Sequence, residues 1–140
     1  MFGEEDLFQK LATGEITLED RLQLLRKSGQ INDQVLEETK EVTRIIEEKY
    51  KIELTEKREG DAMFVTHVAI ALQRLVDGEQ INETSSFVMN EVKKYPEEFE
   101  FAKQIAKTVE GKLGVKVPEA EVAFIAAYLC ILHGKTELPK

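Results

Sequence analysis

One cysteine, Cys130, stands among the 140 residues. A lone thiol excludes an internal disulfide and fits a reducing compartment, the cytoplasm. Long apolar runs are missing too. None approaches the ~20 residues that a membrane-spanning helix needs. Positive charge is in short supply: 19 Lys and Arg against 27 Asp and Glu leave a net charge of −8. Such a surface repels a phosphate backbone, and no dense Lys/Arg stripe with interleaved aromatics offsets it, so direct nucleic-acid binding is not expected. The same charge argues against docking on an anionic membrane. The opening MFGEEDLFQK has neither the basic start nor the apolar middle of a signal peptide. No internal repeat, Ser/Gly linker or low-complexity tract marks a second full domain.

Catalytic signatures are absent as well. There is no P-loop, no Gly-rich phosphate cradle and no nucleophile–base–orienter set, so the chain does not read as an enzyme and no cofactor is expected. Cys130 and His133 lie three residues apart on one helical face. They supply two of the roughly four ligands zinc prefers, so no metal site is assigned. A buried thiol, and an imidazole suited to the negative end of a helix, account for them more simply.

What the sequence does have is helical periodicity, nearly from end to end. Hydrophobic residues make up 42% and charged residues 33% of the chain, the balance of a soluble globular protein. Residues 4–13 suggest a short amphipathic turn or two. Thr17, with Asp20 three residues on, offers a capping box for a helix that stops at Ser28-Gly29. Asn32 caps a longer helix reaching residue 50. Its apolar stripe is Val35, Thr39, Val42, Ile46 and Tyr50, with Glu37, Glu38, Glu41, Glu47 and Glu48 facing water.

KIELTEKREG reads as a polar connection or partly an extra turn. Residues 61–77 follow as a helix apolar round most of its circumference, ended by Gly78. INETSSFVMNEVKKY gives a shorter helix. Pro96 opens the next, with a core stripe of Phe99, Ala102, Ala106, Val109 and Leu113, closed by Gly114. Pro118 opens the last, whose residues 122–132 are again almost wholly apolar. The fold class is therefore all-α, and the simplest packing sets the two most apolar helices against each other at its centre.

MFVTHVAIALQRLVDG places one imidazole, His67, inside the first of those helices. Arg74 lies two turns on, about 10.5 Å along the axis and on the same face. Tyr128 is the comparable polar-tipped residue of the last helix. Each needs a hydrogen-bond partner or an exposed groove. An ordinary imidazole titrates near about 6.5, so its neutral form, a good phosphoryl acceptor, is plentiful at cytoplasmic pH. Phosphorylation brings close to two negative charges, enough to repack an apolar interface. Spacing alone leaves a second reading open, a core histidine satisfied by a backbone carbonyl. Arg74 likewise reads as a surface ion pair with a nearby glutamate, and Tyr128 as a half-buried aromatic.

FVTHVAIALQRLVDG, INETSSF and YPEEFEFAKQIAKTVEGKLGVKVPEAEVAFIAAYL, in that order and spacing, resemble the PTS regulation domain. This is the helical module of bacterial antiterminators and activators controlled by the sugar phosphotransferase system. The resemblance covers about residues 31–134. It implies a compact five-helix bundle over 31–140, preceded by an N-terminal helical extension over 1–30. It makes His67 the phosphoacceptor, with Arg74 and Tyr128 as neighbours of the phosphate site and HPr or an EIIB component as donor. It also implies a homodimer, and control of an attached or larger regulator through protein contacts.

The sequence departs from the family in two places. Tyr128 stands where the second histidine is expected, and tyrosine cannot form a phosphoramidate; His133, five residues on, does not match that motif. The first 30 residues are too few and too acidic for the usual RNA-binding head or a helix-turn-helix. Two functions follow from this. One is a stand-alone regulatory domain phosphorylated at His67, or sensing phosphorylation there. The other is a non-phosphorylated dimerisation or interaction module, a decoy or scaffold.

Overall fold

A computed structural model describes residues 16–79 and 86–134, leaving aside the side chains of Glu59 and Ser86. Among the described residues there are six helices and no strand: α1 Leu18–Lys27, α2 Asp33–Tyr50, α3 Glu59–Val76, α4 Ser86–Val92, α5 Pro96–Leu113 and α6 Glu119–Leu132. The all-α expectation holds. The turn expected over residues 4–13 lies outside the described residues. The chain divides into two compact units, Met1–Gln73 and Arg74–Lys140.

In the first unit α1 packs on α2. Thr17 opens α1 with the expected reciprocal box. Its hydroxyl accepts from the Asp20 N–H at 3.1 Å, and Asp20 Oδ2 accepts from the Thr17 N–H at 3.0 Å. Two otherwise orphaned donors are satisfied at once. Asn32 opens α2 by accepting from the Val35 N–H at 2.8 Å. Val35, Leu36, Val42 and Ile46 then recur at helical spacing and are buried. Full burial of one such side chain stabilises by about 1.5–3 kcal/mol. Glu38 departs from the expected water-facing row: it is buried, while Tyr50 is only partly so. Its position beside Thr39 carries it round to the core side of the stripe.

In the second unit α4 and α5 both pack on α6. Pro96 begins α5, where its missing N–H costs nothing, and Glu97 and Glu98 occupy the positive first turn. Ala102, Ile105, Ala106 and Val109 form its buried stripe, and Phe99 is half-buried.

Two of the three 18-residue helices, α2 and α5, end alike. Lys51 and Gly114 take the left-handed conformation, with φ of 56° and 67°, and each returns its N–H to a carbonyl, that of Glu47 or Glu110. The same glutamates use their side chains too. Glu47 Oε2 accepts from the Leu54 N–H at 2.9 Å, and Glu110 Oε2 from the Val117 N–H at 2.7 Å. Leu54 and Val117 are both buried. A carboxylate thus clasps the exit of α2 in the first unit and of α5 in the second before the next helix begins.

Candidate functional site

Three tethers fix α3, which carries His67. Asp61, in its first turn, is buried and accepts from the Thr55 N–H at 3.0 Å and from Arg58 Nε at 2.8 Å. Gln73 Oε1 accepts from the Asn32 N–H at 2.8 Å, tying the start of α2 to α3. Arg21 of α1 donates from Nη1 to Thr66 Oγ1 at 3.4 Å.

Between these tethers the helix is not buried all round. Phe64, Val65, Val68, Ala69, Ala71 and Leu72 are buried, but Met63, four residues before His67, is 65% exposed. His67 itself is exposed. The imidazole is therefore reachable from solvent. Full burial among core side chains would prevent that.

Arg74 does not lean back toward His67. Its Nε donates to Glu79 Oε1 at 3.3 Å, five residues further along the chain, and both side chains are about half exposed. The guanidinium is engaged by a carboxylate beyond the helix end. Tyr128 lies in α6, in the second unit, where it is 8% exposed within the buried run Ile125, Ala126, Leu129 and Cys130.

Two arrangements were not foreseen from the sequence. The first is a cation on α1. Arg21 Nε lies 3.1 Å and 3.0 Å from the two oxygens of Glu56, and Nη2 also pairs with that carboxylate. The Glu56 hydrogen bond, outweighing partial burial, holds the guanidinium proton even more firmly than usual. The second is His133, whose Nδ1 sits 3.0 Å from Oε2 of Glu98, a carboxylate that is 3% exposed. Both pairs join residues 35 positions apart, beyond the reach of any local pattern. Among the described residues no group of three or more His, Cys, Asp or Glu is placed to hold a metal ion. Nor is any described helix long and apolar enough to cross a membrane.

A family model of the PRD domain matches residues 26–130, which take in His67, Arg74 and Tyr128 and leave out Arg21 and His133. No curated protein and no solved structure matches the chain.

Proposed function

The chain belongs to the PRD domain family, and from that premise we propose that it takes up phosphate on His67 from a phosphotransferase-system donor and passes the signal on through protein contacts. PRD domains are regulatory modules linked to the phosphotransferase system, so the output is regulation and not turnover of a substrate. The observation that supports the reading is the exposure of His67, on the face of α3 that also carries the exposed Met63. A neutral imidazole nitrogen attacks phosphorus, and the donor's phosphorus–nitrogen or phosphorus–sulfur bond breaks as the new bond forms. The donor is HPr or an EIIB component. A homodimer, or a complex with a larger regulator, is the form whose contacts the new charge alters. A net charge of −8 favours a protein partner over nucleic acid.

The test is direct. Purified protein is mixed with phosphorylated HPr or with an EIIB-type donor, and the acid-labile phosphate is followed by intact mass. One phosphoryl group is expected on the wild type and none on His67→Ala. Absence of uptake from every donor would sink the reading.

A second reading has its own support. Tyr128 occupies the second-histidine position and is buried, so a two-histidine relay has no acceptor there. A non-phosphorylated interaction module would keep partner binding unchanged in His67→Ala, whereas the first reading expects the response to donor to disappear.

A further inference from the structure

We propose that Arg21 is the cation that receives the phosphoryl group of phospho-His67, with Glu56 as the residue that positions it. The inference rests on the reading of His67 as phosphoacceptor. It adds which side chain meets the new charge, and through it which helix feels the phosphorylation.

A phosphoryl group carries close to two negative charges and three strong acceptor oxygens. At the exposed His67 water meets part of that charge, and a cation beside the group holds it further. Arg74, the obvious candidate from its spacing, is turned to Glu79. Arg21 is differently placed. Its guanidinium has five donors in a rigid fork. One edge, Nε and Nη2, is taken by Glu56, while Nη1 points at α3 and reaches Thr66 Oγ1. At 3.4 Å that last bond is long for an N–H donor, so Nη1 gives up little by turning to a stronger acceptor.

Thr66 is the residue before His67, and consecutive Cα atoms lie about 3.8 Å apart. The guanidinium therefore touches the turn of α3 that bears the imidazole, which leaves the helix about 100° round from Thr66. It need not leave Glu56 to serve a phosphate, because an arginine can bridge two anions from two edges. The side chain is already held, with 33% of its surface exposed against 16% for Glu56, so little rotamer freedom remains to be lost. Charge-assisted hydrogen bonds to phosphate are about twice as strong as neutral ones. Arg21 lies before residue 26, where the family match begins, so the contact comes from the part of α1 ahead of that match.

Phosphorus NMR tests this without any protein donor. The whole chain is phosphorylated with phosphoramidate, and the resonance missing from His67→Ala identifies the group on His67. Its pH titration is then compared in wild type, Arg21→Met, Arg21→Lys and Arg74→Met, each checked for native circular dichroism. A guanidinium at the phosphate stabilises the dianion. The wild-type group should therefore titrate lower than that of Arg21→Met by about one pH unit, a tenfold change in ionisation constant. Arg21→Lys keeps the charge without the fork and should fall between them; it carries the comparison if Arg21→Met does not fold. Arg74→Met should match wild type.

Identical titrations in wild type and the Arg21 variants, or a shift in Arg74→Met alone, would overturn the assignment of Arg21 and leave His67 as acceptor. A protein that takes phosphate from phosphoramidate but from no phosphotransferase donor, and still shows the Arg21 shift, would sink the proposed donor and uphold the contact. Failure of phosphoramidate to modify His67 at all would overturn both.

Discussion

Two histidines occupy opposite situations, and single substitutions should separate them. His133 pairs at 3.0 Å with Glu98, whose side chain is 3% exposed. Removing the imidazole takes a hydrogen bond from a buried carboxylate, which costs about 1–3 kcal/mol. His133→Ala should lower the denaturation midpoint accordingly, and His133→Gln, which keeps a donor, should lower it less. His67 is exposed, so His67→Ala should leave the midpoint within about 0.5 kcal/mol of wild type while removing phosphate uptake. Equal midpoints for all four proteins would deny the Glu98 pair any structural weight. His67 was legible in the sequence because an imidazole interrupts an apolar run. The Glu98 and Glu56 pairs were not, since each joins residues far apart in the chain. Glu38 misled because one glutamate in a row of five looks like the others until the core side is known.

The helix boundaries were the most legible feature of the elements, because caps are local chemistry. Thr17, Asn32, Pro96 and Gly114 stand where the sequence put them, and Gly78 follows the end of α3. The end of α2 was legible only as a position. Lys51 has no side-chain feature announcing its left-handed backbone. The start of α3 fell two residues earlier than the apolar run suggested, because Glu59 and Gly60 join the helix ahead of the buried Asp61. α1 offers a clean test of the local argument. Thr17→Ala removes the acceptor for the Asp20 N–H and should cost about 1 kcal/mol. Amide exchange confined to the first turns of α1 should quicken, and unchanged exchange there would show that packing on α2 alone holds the helix.

At the scale of the molecule, fold class was plain from the missing two-residue alternation, and the two-unit organisation was not. Among the described residues each unit holds a short helix and an 18-residue helix before a mostly apolar one, α3 continuing three residues past its unit's end. The sequence carries no internal repeat that would mark the division. The whole-molecule charge gives its own prediction. At −8 the protein should show no retention on a polyanion column and no binding to duplex DNA or RNA by fluorescence anisotropy at low salt. Salt-sensitive binding to either would mean that its basic residues gather into a patch the total conceals.

The glutamate clasps carry one more implication. Val115 and Lys116, between Gly114 and Val117, have the look of a surface bend that would accept extra length. Because Glu110 must span to the Val117 N–H, the bend is cut to measure, and one added residue there would mis-aim α6 from its first turn. The stretch before Leu54 is bound by the same tolerance. Anyone grafting a tag or reporter into this protein should pass over both short bends, however open to solvent they look.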